Sequence, residues 1–99
     1  LLMGRTFHVY ILASQSGVLC TSMTNNLIRR ISEHKQKKIP GFTQKCNLTK
    51  LVWFEARGSA TSAIAREKQI KGWSWAKKLA IIEAMNPHWK DLTEMLTSR

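Results

Sequence analysis

The chain has 99 residues, 43% of them hydrophobic, with four tryptophans, which is enough apolar material for one modest core and excludes a disordered chain. Sixteen Lys and Arg against six Asp and Glu leave a formal charge of +10, a balance that opposes compaction and attracts DNA, RNA or an anionic membrane surface. No apolar run approaches the roughly 20 residues that span a bilayer, and two cysteines without a CxxC or a His-rich metal spacing point to a reducing, cytoplasmic setting.

The chain opens Leu1-Leu2-Met3, with Met3 a candidate start. Phe7-His8-Val9-Tyr10-Ile11-Leu12-Ala13 is rich in β-branched and aromatic residues and reads as a strand rather than an export segment. Ser14-Gln15-Ser16-Gly17 follows as a turn, with Gly17 placed for a positive φ, and Val18 to Ser22 returns as the second strand of a hairpin. Thr24 or Asn25 can cap a helix over 26–38 whose apolar stripe is Leu27, Ile28 and Ile31. Pro40-Gly41 ends that helix and opens a loop through Asn47.

Leu51-Val52-Trp53-Phe54-Glu55 is a third strand, so continuously apolar that burial of both faces is expected. Ser59 is the expected N-cap of a helix over 60–71, stopped at Gly72. A third helix over 75–85 should turn Trp75, Leu79, Ile82 and Met85 inward. Asn86-Pro87 should stop it, because the residue before proline avoids the α region and Asn tolerates the left-handed one. A last short helix falls within 88–96. No repeat or linker divides the sequence, so the expectation is one α/β (α+β) domain over 1–99 with its core at about 7–96, a small sheet partly covered by helices.

Arg30 and His34 are four residues apart, which puts a guanidinium and an imidazole on one helix face. A guanidinium meets phosphate oxygens two at a time, and an imidazole moves protons near neutral pH. The same spacing also suits a solvated basic face. Glu67 has Ala63, Ile64, Ile70 and Lys71 as its helical neighbours, so it lies along an apolar stripe, where a carboxylate needs a cation. That cation is either Lys71 or an Arg in an ion pair, or a hard divalent metal completed by water and substrate phosphates. Tyr10 faces the opposite side of its strand from Val9 and Ile11, as a packer or, if Arg30 lowers its pKa from near 10, as a proton acceptor. Lys35, Lys37, Lys38, Lys45 and Lys50 border the Pro40-Gly41 loop, and Lys68, Lys71, Lys77 and Lys78 lie on later helices. Phosphate neutralisation accounts for their number better than solubility does. The tryptophans are expected in the core, with Trp73 or Trp75 as alternatives for stacking on a base. Cys46 reads as a small packer.

Together these residues resemble the GIY-YIG nuclease superfamily, and within it the small stand-alone single-domain members found in bacteria, from about Phe7 to Leu96. The first signature triplet corresponds to His8-Val9-Tyr10 and the second to Cys20-Thr21-Ser22. Arg30 and His34 match the family's Arg-x-x-x-His helix, and Ala65 to Trp73 looks like its metal-carboxylate helix. Pro40-Gly41-Phe42-Thr43 and Met85 to Leu92 also fit. The resemblance implies a three-stranded antiparallel sheet flanked by helices and metal-dependent hydrolysis of a phosphodiester. Carried over by position, Tyr10 would activate the attacking water, Arg30 would stabilise transition-state charge, Glu67 would hold Mg²⁺ (or Mn²⁺), and His34 would move a proton or orient Tyr10. Lys35, Lys38, Lys45, Lys68 and Lys71 are the expected contacts to duplex or branched DNA.

The second triplet departs from the family pattern. Cys20 cannot replace a phenol's reach, and Ser22 adds a side chain where a glycine would let a phosphate approach. The expected function is therefore a GIY-YIG-type DNA endonuclease, in repair or recombination. The alternatives are a catalytically weakened nucleic-acid-binding module on the same scaffold and, more distantly, a basic protein–protein adaptor.

Overall fold

Strand β1 (Phe7–Ser14) runs down the middle of an antiparallel sheet, between β2 (Leu19–Thr24) and β3 (Leu48–Arg57), in the computed structural model, which describes residues 6–14, 17–35 and 48–97. Among the described residues four helices accompany the sheet: α1 (Leu27–Lys35), α2 (Ala60–Lys71), α3 (Trp75–Met85) and α4 (Thr93–Thr97). The expected α+β architecture, a three-stranded antiparallel sheet flanked by helices, is what the described residues form.

The hairpin forms where turn chemistry places it. Gly17 adopts φ 90°, a value that a side chain would strain, and Ser14 N–H donates to Val18 O at 3.0 Å. Residues 9–13 of the central strand are at most 3% exposed, because both faces are covered. Val9, Ile11 and Ala13 pack with Trp53, Ala63, Ile70 and Ile82 under α2 and α3. Tyr10 and Leu12 point the other way, into a second core with Leu27, Ile31, Leu51 and Leu92 from the α1 and α4 side. In β3 the alternation is interrupted. Ile11 faces Trp53 but Leu12 faces Leu51, so Val52 is an inserted residue and joins Trp53 in the first core. Such an insertion turns consecutive apolar residues inward, which explains the unbroken apolar run.

Several expectations need correction. Helix α1 begins at Leu27, and its cap is Asn26, whose Oδ1 accepts from Arg29 N–H at 3.1 Å. Thr24 sits one step earlier, its Oγ1 accepting from Asn26 N–H at 3.1 Å. Ile28 is exposed, so Leu27 and Ile31 carry the buried stripe. On α3 only Ile82 is fully buried; Trp75 is 61% exposed and Met85 is exposed as well. The chain turns after α3 without a left-handed asparagine: Asn86 has φ −141°, and Trp89 takes the positive φ at 55°. Asn86 instead stops the helix through its side chain, donating to Val52 O at 3.3 Å and Lys90 O at 2.8 Å while accepting from Lys90 N–H. Asp91 then accepts from Leu51 N–H at 3.2 Å and sets α4 against the sheet. Helix α2 runs from its Ser59 cap to Gly72 as expected. The Pro40-Gly41 loop, with Lys37, Lys38, Lys45 and Cys46, lies outside the described residues. Cys20 is disulfide-bonded, which the reducing setting read from the two cysteines did not anticipate.

Candidate functional site

The hairpin register builds the first part of the site. Tyr10 on β1 lies directly opposite Ser22 on β2, so the two side chains share a face, and the Ser22 hydroxyl is hydrogen-bonded to the Tyr10 hydroxyl. The residue that looked like a defect in the second triplet is thus the partner of the first triplet's tyrosine. Two positions along, Leu12 faces Cys20, on that same side of the sheet.

Helix α1 supplies the charge. Leu27 and Ile31 anchor it to the second core, which turns Arg30 toward the sheet and leaves Arg29 in solvent: their side chains are 36% and 64% exposed. The Arg30 Nε is buried and has no hydrogen-bond partner among the described residues. The Glu33 carboxylate stands 3.8 Å from it, an ion pair too long for a hydrogen bond. Glu33, within electrostatic reach of Tyr10, was not singled out in the sequence, although its helical spacing from Arg30 would have found it.

Glu67 completes the group from α2. Its side chain is 17% exposed, its charge acts on Tyr10, and Lys71 Nζ stands 3.0 Å from its carboxylate. Both sequence readings therefore meet at one residue. The Lys71 partner is itself 55% exposed, and an exposed i,i+4 pair contributes only about 0.3–0.5 kcal/mol. That is too little to account for holding a carboxylate so far out of water.

Electrostatics at Tyr10 correct one expectation. Burial, with the residue 0% exposed, pushes the phenol above its ordinary value near 10. The Ser22 hydrogen bond and the Arg30 charge favour the phenolate but do not overcome that desolvation, and Glu67 and Glu33 oppose them. His8, one turn of the pleat away with its ring edge-on to Phe54 at 6.1 Å, is lowered by burial, and its Nδ1 has no partner among the described residues.

Of the remaining expected residues, His34 and Lys35 lie on the last turn of α1 with their side chains outside the described residues, and Lys38 and Lys45 are outside altogether. Lys68 and Lys71 are exposed on α2. Lys50 is tied to Trp89 O at 3.1 Å, so it is a structural contact. No three His, Cys, Asp or Glu side chains gather into a metal cluster among the described residues. The donor set beside Tyr10 is carboxylate oxygen from Glu67, which fits a hard cation that takes one or two carboxylates and leaves the rest of its shell to water and phosphate.

Comparison with known proteins shows the family and the fold. The family described as GIY-YIG catalytic domain matches residues 6–80. A UPF0213 protein of Syntrophus aciditrophicus is 37% identical over 81 residues, covering 81% of this chain and 92% of the relative. One from Natronomonas pharaonis is 32% identical over 80 residues, covering 81% of this chain and 94% of the relative. The solution NMR structure of a UPF0213 protein from Bacillus halodurans superposes with a TM-score of 0.58 at 27% identity, covering 91% of this chain and 96% of that one.

Proposed function

The chain belongs to the GIY-YIG family, in its small UPF0213 branch, and from that premise we propose that it is a metal-dependent DNA endonuclease acting on duplex or branched DNA in repair or recombination. The observation that supports this reading is the convergence of Ser22, Arg30 and Glu67 on the buried hydroxyl of Tyr10.

In this mechanism Tyr10, as phenolate, accepts a proton from the water that attacks phosphorus. Ser22 orients the phenol and favours its ionised form by hydrogen bonding. Arg30, whose buried Nε–H has no partner among the described residues, stabilises the negative charge that develops on the phosphoryl oxygens, usually the largest catalytic contribution. His34 carries the proton onward or orients Tyr10. Glu67 would hold Mg²⁺ (or Mn²⁺), which when bound neutralises phosphate oxygens and stabilises the leaving oxygen. Lys35, Lys38, Lys45, Lys68 and Lys71 contact the DNA backbone. With about five phosphates neutralised, the log–log salt slope of duplex binding should be roughly −4 to −5. Binding that stays flat from low to moderate salt would remove the nucleic-acid reading.

A second reading has its own support. The raised pKa of Tyr10, with Cys20 at the second triplet's first position, favours a weakened DNA-binding module. A nicking assay on branched and plain DNA, with and without Mg²⁺, separates the two: metal-dependent nicks support the nuclease, and tight salt-sensitive binding without nicks supports the module.

A further inference from the structure

On the other side of the sheet from Tyr10, the end of β3 and one face of α2 border a cleft of about 270 Å³ lined by Arg57, Ser62, Ala65, Arg66 and Gln69. The four α2 residues recur at helical spacing, so they form a single stripe. Glu55 organises the cations. Its Oε2 lies 2.6 Å from Arg57 Nη2, and its Oε1 lies 3.3 Å from Arg66 Nη2. Arg57 Nη1 also donates to Ser62 Oγ at 3.3 Å, and Arg66 Nη1 donates to Gln69 Oε1 at 2.6 Å.

The arrangement carries more cation than its own structure needs. Two guanidiniums meet one carboxylate, so one positive charge remains unbalanced. The Arg57 Nε is buried with no hydrogen-bond partner among the described residues, so its side chain is not fully satisfied by the contacts it makes. No acidic residue sits in the first turn of α2, so the positive end of its dipole also stays uncompensated beside Ser62. The volume falls below the roughly 300–1,000 Å³ of pockets for drug-sized ligands and suits one small group. At the far end of the stripe, Arg66 and Lys77 both stand 5.1 Å from the Trp73 ring, extending the cationic surface.

We propose that this cleft binds one backbone phosphate of the DNA, separate from the phosphate cleaved beside Tyr10. A phosphodiester brings the single negative charge that balances the surplus, with oxygens that accept from guanidinium and hydroxyl donors. None of Ser22, Arg30, Glu33 and Glu67, which act on Tyr10, lines the cleft. Arg66 and Glu67 are adjacent on α2 and therefore about 100° apart, so one helix presents a residue to each site. The identity of the ligand rests on the DNA-binding part of the proposed function; the site itself does not.

The test uses the full chain in EDTA, following the arginine Nε–Hε NMR signals while adding a short DNA duplex and, separately, inorganic phosphate. The duplex should shift the Arg57 signal. Arg66→Gln should lower the salt slope of duplex binding by about 0.9. Ala65→Glu puts a carboxylate into the cleft at an exposed helical position that tolerates it, and should weaken duplex binding about tenfold. Ala84→Glu, the same charge on exposed α3, should weaken it far less. No Arg57 shift at saturating duplex, or equal losses for the two Glu variants, overturns the proposal. A shift with inorganic phosphate but none with the duplex also overturns it, assigning the cleft to a free phosphate compound. A duplex-induced shift in a protein that never cleaves DNA would leave this site standing and remove only the nuclease reading.

Discussion

Arg30 and the Arg57–Arg66 pair are the same side chain put to different use. Arg57 and Arg66 are clamped on Glu55, the closer contact at 2.6 Å, so their positions are set before any ligand arrives. Arg30 is held more loosely: Glu33 stands 3.8 Å from its Nε, which is buried near a hydrogen-bonded phenol and has no hydrogen-bond partner among the described residues. A guanidinium held by a close carboxylate is fixed in place before a ligand arrives, whereas one held only at 3.8 Å keeps more of its field for charge that appears beside it. On the proposed reading, the difference suits the Tyr10 face to charge that develops during a reaction and the β3–α2 cleft to charge that a ligand already carries.

The sharpest way to break this comparison is at Glu67. Glu67→Ala should reduce Mg²⁺-dependent cleavage to background while leaving DNA affinity in EDTA nearly unchanged. Lys71→Ala removes the same 3.0 Å ion pair from its other end and one proposed backbone contact, so it should weaken DNA binding modestly while leaving most of the cleavage rate at saturating DNA in place. Equal losses for the two variants, with melting temperatures lowered alike, would make Glu67 an ion-pair residue. The next largest effect separates neighbouring arginines. Arg30→Ala should lose about 10²–10³-fold in single-turnover rate, as expected for removing a donor aimed at developing charge. Arg29→Ala, 64% exposed and paired with Glu33 at 3.8 Å, should change the rate by less than about twofold. Similar losses at both positions would turn Arg30 into part of a diffuse basic surface.

Much of this contrast was legible in the sequence, for reasons that also mark where legibility stopped. Helix α2 announced itself with a serine cap and a closing glycine, and the hairpin with Gly17, because caps and turns are local chemistry. Tyr10, Arg30 and Glu67 followed from period and family pattern. Ser22 did not, since its value depends on register: only once Tyr10 is paired with it does a small polar residue become a hydrogen-bond partner. The buried Tyr10 also reversed an electrostatic expectation, because desolvation depends on packing from α1, α4 and β3 that no local window contains. Trp75 and Met85 were misplaced for a related reason: α3 has only a short contact with the sheet, so its apolar residues outnumber the positions that can be buried. The Glu55–Arg57–Arg66 cluster joins a strand to the next helix, a meeting that charge counting does not reveal.

The smallest expected effect probes the balance at Tyr10 itself. Burial raises the phenol's pKa above about 10, so at neutral pH only a small fraction is phenolate, and that fraction grows tenfold per pH unit. Single-turnover cleavage should therefore rise with pH at unit slope and show no plateau below about pH 10. Because the Ser22 hydrogen bond lowers this pKa, Ser22→Ala should raise it further and move the whole profile to higher pH without changing its slope. At a fixed pH below the plateau, the loss should be about two- to tenfold, the worth of one hydrogen bond. Ser22→Gly should behave in the same way despite matching the family's glycine, since it also removes the hydroxyl. A gain in rate for Ser22→Gly would mean that close approach of the phosphate matters more than support of the phenol. A pH profile that levels off near neutrality would instead mean that a group other than Tyr10, His34 foremost, takes the proton from water.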